Sequence, residues 1–334
     1  MIAVSGATGF LGAHVVCQLL EKRQSIRAFK RASSNLHEFN YIYALYYGTN
    51  TSLRQFITWV DVDVLDVCAL EVALQGVDEV YHCAATVSFN QSDRDVMMQV
   101  NVQGTANMVN LSLMAGVKKF AHISSIAALG RAKNGVAVTE QTKWVDSKLN
   151  SNYALSKYKA EMEVWRASEE GLPVVIVNPG VILGSGDWTK GSCKLFEMVK
   201  NGMPFYTNGV NGYVDVKDVA KATILLMERN VFAERFVLVA ENVSMKDFLV
   251  HTATCLKVKP PFVEVNKWLA ELSWMVAGIA ALFTGKKAAI TKETARASLK
   301  RYYYNSDKIK QKLGFEFIPV KQTIAQACQD ILTQ

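Results

Sequence analysis

Two short stretches carry side chains able to move a proton: "HISSIAALG" at 122–130 and "YALSK" at 153–157. Tyr153 and Lys157 stand one helical turn apart, so on a helix the phenol and the ammonium leave from the same face. A free phenol titrates near ~10 and is a poor base at neutral pH, but an adjacent cation stabilises its anion. Such a pair can do acid–base work on a carbonyl or an alcohol. Tyr-x-x-x-Lys also recurs by chance in many helices as a surface pair, so the chemistry needs a second signal elsewhere in the chain.

That signal opens the sequence. In "MIAVSGATGFLGAHVVCQLL", Met1–Val4 reads as a short buried strand and Ala13–Leu20 has apolar residues at helical spacing, so Gly6, Gly9 and Gly12 span a strand-to-helix turn. One glycine there supplies a positive φ, a second lets the backbone approach a pyrophosphate, and a third lets the helix pack on its strand. The helix N-terminus offers free N–H groups to the anion. The pattern points to a dinucleotide, although glycine-rich turns also join strands to helices without a ligand.

The second strand ends "IRAFKRASS", with Lys30, Arg31, Ser33 and Ser34 where an NAD-preferring site carries an acid. Arg31 can pair with a 2′-phosphate, with Ser33 as a further donor, which favours NADP over NAD; a solvated basic strand end is the alternative. Asp63 closes the third strand, where a carboxylate can accept from an adenine amino group and the Val64 N–H can reach the ring, while Asp66 suits a helix N-cap. Small residues Ala84, Ala85 and Thr86 end the fourth strand and leave room for a dinucleotide to cross the sheet.

Positioning these residues requires alternating elements. Strands are expected at 1–4, 25–29, 58–62, 79–83, 119–124 and 174–177, with helices at 13–22, 67–75, 93–115 and 153–169 and a polar, aromatic stretch after the second strand. Strict strand–helix succession implies right-handed crossovers and a parallel sheet covered on both faces, an α/β doubly wound Rossmann-type core. Beyond Gly184 the rhythm breaks, then rejoins at 218–229 and 236–240. We expect a Rossmann core over 1–183 with elements also from 214–240, and a smaller, mostly helical lobe over 184–334 on the substrate side.

Bulk properties narrow the function classes. The chain has 334 residues, half of them apolar, and a net charge of +7 spread in short clusters, which argues against a nucleic-acid partner. Six scattered cysteines without a CxxC pair read as reduced thiols in a cytoplasmic protein, and five histidines without a ligand-spaced cluster suggest no metal. The glycine turn begins at Gly6, so no signal peptide is expected. "WLAELSWMVAGIAALF" at 268–283 contains Glu271 and falls short of the ~20 apolar residues of a membrane span, so a buried or lid helix is expected there.

The chain resembles the extended short-chain dehydrogenase/reductase family, also called the NAD-dependent epimerase/dehydratase family. The resemblance spans nearly the whole length through "GATGFLG" at 6–12, "DVLD" at 63–66, "HCAA" at 82–85, "NVQGTANMV" at 101–109, "SSIAALG" at 124–130, "YALSK" at 153–157, "NPGVILG" at 178–184 and "YVDVKDVA" at 213–220. It implies that Tyr153 is the proton donor, that Lys157 holds the nicotinamide ribose and lowers the tyrosine pKa, and that Ser125 hydrogen-bonds the substrate oxygen. It links Asn101 to the active-site helix and its proton relay. It adds Thr8, Phe10 and Leu11 to the cofactor contacts of the first turn, and Pro179, Gly180, Val181 and Ile182 along the nicotinamide.

Asn178 stands where sugar-nucleotide epimerases and dehydratases often carry Arg, and Ile126, Ala127 and Ala128 supply no acid for a dehydratase. The look is nearer to dihydroflavonol reductases, cinnamoyl-CoA reductases and 3β-hydroxysteroid dehydrogenases. The expected activity is NADP-dependent reduction of a ketone or aldehyde, or its reverse. An NAD-dependent sugar-nucleotide epimerase and a non-catalytic NADP-binding sensor are the alternatives. The C-terminal aromatics Trp188, Phe196, Phe205, Trp268 and Trp274 suggest an apolar substrate, Lys190 and Lys194 an anionic group, and the family a homodimer.

Overall fold

The computed structural model describes residues 1–131, 136–147, 150–271, 274 and 292–332. β1 (Ile2–Ser5), β2 (Ile26–Lys30), β3 (Ile57–Asp61), β4 (Glu79–His82), β5 (Lys119–Ile123) and β6 (Val174–Pro179) form a parallel sheet, joined at its edge by β10 (Glu234–Leu238). The spatial order is β10-β6-β5-β4-β1-β2-β3. The order reverses between β1 and β4, and ligands of open α/β sheets bind at the carboxyl ends of strands beside such a reversal.

Alternate residues of the strands face two apolar layers. Ile2 and Val4 of β1 join a core with α1 (Phe10–Leu20), α2 (His37–Tyr47) and α8 (Val216–Glu228), whereas Ala3 joins the opposite core with α3 (Val67–Leu74), α5 (Gly104–Met114) and α6 (Asn152–Glu169). Short polar side chains start several helices: Asp66 Oδ1 accepts from Ala69 N at 3.0 Å ahead of α3, and Ser151 Oγ from Ala154 N at 2.9 Å ahead of α6.

The remaining elements form a second body of structure. β7 (Val181–Leu183), β9 (Val210–Asp215) and β11 (Glu241–Ser244) make a three-stranded sheet, and β8 (Phe205–Tyr206) pairs with β12 (Val263–Glu264). With α7 (Lys194–Lys200), α9 (Met245–Leu256) and a last helix at Val320–Leu332 they enclose a third apolar core. Helix Asp307–Leu313 instead returns Ile309 and Leu313 to the first core.

Three expectations change. The aromatic stretch after β2 is helix α2, whose Phe39, Ile42 and Tyr43 are buried at helical spacing. The helix expected over 93–115 is α4 (Arg94–Met97), a π-helical segment (Met98–Gln103) and α5 in succession. The third strand ends at Asp61, and Asp63 lies in the following turn, where its carboxylate accepts from Leu65 N at 2.9 Å. Of the stretch 268–283, residues 272–273 and 275–283 lie outside the described residues. Among the described residues no helix is long and apolar enough to cross a membrane, and no group of three or more His, Cys, Asp or Glu is placed to hold a metal ion.

Candidate active site

The carboxyl edge of the sheet gathers Gly6, Arg31, Ala84, Ser125 and Gly180, each just past a strand end. Gly6 turns the chain at φ +67°, and a Cβ on it would stand 2.8 Å from the Ala84 backbone. A Cβ on Gly12 would reach 2.1 Å from Gly6 O, so those two glycines answer to the protein's own backbone. Gly9 differs: its Cβ would meet only Gly6 O, at 3.4 Å, and otherwise project into open space. Gly9 is also the N-cap of α1, and no side chain caps that helix. An uncapped helix end behind a bare backbone fits a dinucleotide pyrophosphate, with Thr8, Phe10 and Leu11 partly exposed around it.

A second group of side chains converges at the ends of β5 and α6. Lys157, 2% exposed, donates from Nζ to Ile123 O at 2.7 Å. Burial pulls its pKa down to about 8 from the ordinary 10.5, against the raising influence of Glu161 and Cys83. Tyr153 lies one turn earlier; burial raises its pKa, and a hydrogen bond with Ser125 lowers it. Ser125 Oγ accepts from Ala127 N at 3.1 Å, which fixes the hydroxyl at the strand end.

Asn101 lies in the π-helical segment and ties α6 to the strand end beside β4. Its side chain accepts from Thr86 N at 2.7 Å and donates to Thr86 O and to Ser156 Oγ, both at 2.9 Å. Ser156 Oγ in turn donates to Tyr153 O at 2.8 Å. The structure thus brings Ser125, Tyr153, Lys157 and Asn101 together.

Toward β2 the site is open. Arg31 and Ser33 are exposed, and the Arg31 side chain makes no hydrogen bond or ion pair among the described residues. Lys30 is instead paired with Asp61. Val64 is buried against Gly104, and its carbonyl accepts from Asn107 Nδ2 at 3.0 Å. At the end of β6, Pro179 is buried, and beyond it Gly180, Val181 and Ile182 are half-buried. Several aromatics expected at a pocket are core: Trp188 and Phe196 stack at 5.3 Å, and Phe196 meets Phe248 at 5.6 Å. Phe205 and Trp268 are exposed, and Lys190 is paired with Asp187 at 2.7 Å.

Residues 2–239 match the model of the NAD dependent epimerase/dehydratase family. The chain belongs to that family. Among its relatives is a Synechocystis protein provisionally named dihydroflavonol 4-reductase, 31% identical over 97% of this chain and 92% of that protein. Cinnamoyl-CoA reductase 1 of Petunia hybrida is 28% identical over 99% and 92% of the two chains. The crystal structure of gox2253 superposes with a TM-score of 0.81 at 31% identity, covering 100% of this chain and 98% of that one. As an epimerase/dehydratase family member with reductase relatives, the protein is an NAD(P)-dependent enzyme of the short-chain dehydrogenase/reductase type.

Sequence reasoning singled out the residues at this family site, and Asn178 as a departure from the sugar-nucleotide pattern, but not the other polar side chains beneath them. Ser5 Oγ and His82 Nδ1 are 2.7 Å apart, and His82 Nε2 lies 3.0 Å from Thr105 Oγ1. On the other side of Lys157, buried Ser124, Glu161 and Asn178 form a second group with the partly exposed Arg235. The available signal was parity: Ser5, His82, Ser124 and Asn178 all fall on strand positions facing α5 and α6, and Glu161 interrupts the buried stripe Ala160, Val164 and Ala167 of α6.

Proposed function

We propose that the protein is an NADP-dependent oxidoreductase that converts a ketone or aldehyde into an alcohol, or runs the reverse, with Tyr153 as proton donor. The observation carrying this reading is the convergence of Ser125, at the end of β5, with Tyr153 and the buried Lys157 of α6, which donates to Ile123 O at 2.7 Å. The dinucleotide, when bound, supplies the hydride. Gly9 and the first turn of α1 hold its pyrophosphate, and Arg31 with Ser33 meets the 2′-phosphate. Tyr153 gives its hydroxyl proton to the substrate oxygen as negative charge builds there, and Ser125 holds that oxygen in place. The Lys157 ammonium stabilises the phenolate left behind and holds the nicotinamide ribose.

The substrate is proposed to be largely apolar. Val87 and Phe89 are exposed, and the Phe89 ring stands edge-on to Tyr153 with centroids 6.0 Å apart, so apolar surface borders the reacting hydroxyl. Residues 184–334 are proposed to complete that side of the site.

The test is a panel of ketones, aldehydes and acyl-CoA esters incubated with NADPH or NADH, following loss of reduced-cofactor absorbance. Oxidation of NADPH by an apolar carbonyl compound is expected. A clear preference for NADH would refute the NADP assignment. Protein that purifies with retained NAD and shows no net oxidation would point to an epimerase, and NADPH binding without turnover to a binding module.

A further inference from the structure

Directly beneath the candidate site lies a carboxylate that the reaction does not itself use. Glu161 has no solvent exposure. Its Oε2 accepts from Ser124 Oγ at 2.6 Å and Asn178 Nδ2 at 2.8 Å, and its Oε1 accepts from Arg235 Nη1 at 2.8 Å and Trp165 Nε1 at 3.4 Å. One helical side chain therefore stitches α6 to the end of β5, to β6 and to β10. Burying a carboxylate so completely is costly without this many donors.

Two of the links lead to the reacting groups. Asn178 Nδ2 also donates to the backbone carbonyl of Ser125 at 3.0 Å, so the Glu161 carboxylate fixes Asn178 and Asn178 fixes Ser125. Lys157 stands one turn before Glu161 on the same helix. The titratable groups facing Lys157 are His82 and Cys83 at β4, His122 in β5, and Tyr153 and Glu161 on its own helix. Burial holds His82 down to about 3 and His122 well below its ordinary value, and pushes Cys83 up to about 12. These three are therefore neutral at pH 7, and so is Tyr153, which burial also raises. Among the described groups Glu161 is left as the anion beside a buried ammonium. Arg235 faces Glu161 from β10 and is itself held through Nε on Glu140 O at 3.0 Å.

We propose that Glu161 is a positioning residue for the Ser125–Tyr153–Lys157 unit: through Asn178 it sets the Ser125 backbone, and through its charge it keeps Lys157 protonated. The inference rests on the proposed roles of Ser125, Tyr153 and Lys157. It separates into an electrostatic arm and a geometric arm, and each has its own readout.

The electrostatic arm is read by NADPH fluorescence titration between pH 6.5 and 9.5. In the wild type, affinity is expected to fall as Lys157 loses its proton. In Glu161→Gln the midpoint is expected to move down by about one pH unit, with affinity at the acid end unchanged. The single variant leaves Arg235 without its anion, so Glu161→Gln/Arg235→Met is measured alongside it, with thermal melts to establish folding. An unshifted midpoint in either folded variant overturns this arm, as does a uniform loss of affinity at all pH values. Lys157→Met supplies the control: wild-type affinity and pH dependence there would bring down the reading of Lys157 as a cofactor ligand, and this inference with it. The geometric arm is read in Asn178→Ala, where kcat on a substrate from the panel is expected to fall about 10-fold without a change in the NADPH midpoint. An unchanged kcat overturns it.

Discussion

The two ends of one sheet edge are built on opposite terms. At the β5–β6 end, Lys157, Asn101, Glu161 and Asn178 are held by named partners at 2.6–3.0 Å, and burial shifts the proton affinities of Lys157 and Tyr153. At the β2 end, Arg31 and Ser33 are exposed, and the Arg31 side chain makes no hydrogen bond or ion pair among the described residues. Proton transfer, the role proposed for the β5–β6 end, demands atoms already in line, and buried hydrogen bonds supply such geometry. Recognition of a phosphate, the role proposed for the β2 end, needs only a cation within reach, with side-chain ordering deferred until binding at a cost of up to about 2 kcal/mol.

The contrast is broken most severely at the fixed end. Tyr153→Phe removes the proposed proton donor, so kcat is expected to fall about 10²–10⁴-fold while NADPH affinity stays near wild type. Lys157→Ala should instead lower both. Stopped-assay turnover and a parallel fluorescence titration separate the two, and retained activity in the phenylalanine variant would sink the assignment.

A smaller effect is expected at the open end. Arg31→Ala should weaken NADPH binding by about 1.5–3 kcal/mol and leave NADH nearly unchanged, as befits loss of one hydrogen bond to a charged group. Equal losses for both cofactors would make Arg31 a general electrostatic aid without discrimination. Its kcat on NADPH at saturation should hardly move, because nothing at the β5 end depends on it.

The smallest effect sharpens the comparison with a buried acid in the first turn of α8. Asp218 accepts from Ile318 N at 2.6 Å and helps seat the chain leading into the last helix. Burial pushes its pKa up to about 6 from 3.8. A raised acid binds its proton more tightly folded than unfolded, so its contribution is greatest below pH 4 and is lost as the pH rises through 6. Asp218→Asn keeps an acceptor for Ile318 and removes the buried charge. Melting curves should therefore show the variant more stable by about 1–2 kcal/mol at pH 7.5 and indistinguishable near pH 4. A variant less stable at pH 7.5 would refute this.

How much was legible in the sequence follows from distance along the chain. Buried parallel strands read as apolar runs, so six strands and their alternation with helices were visible within a residue or two. Tyr153 and Lys157 share one helical face and could be paired on spacing. Contacts such as Glu161 with Arg235, 74 residues apart, or Asn101 with Ser156, 55 apart, have no local signature. Helix α2 escaped because its aromatic-rich composition is unfavourable to helix, and tertiary burial of Phe39, Ile42 and Tyr43 overrides that bias. The π-helical segment was invisible because nothing in "DVMMQVNVQGTANMV" marks where one turn widens.

That segment makes this region sensitive to chain length as well as to composition. A π turn accommodates one residue more than an α turn, so Met98–Gln103 is an insertion absorbed within a helix. Deleting Val102 would let α4 run straight into α5 with regular hydrogen bonding, leaving both flanks on their faces while tightening the widened turn that aims Asn101. Asn101 would then leave Thr86 and Ser156, and the Tyr153 turn of α6 would lose its tether without any change to a reacting side chain. Turnover is expected to drop about 10-fold or more while the melting temperature holds or rises, a pattern that steady-state kinetics and calorimetry would reveal. In this family site, residue count itself is a functional variable.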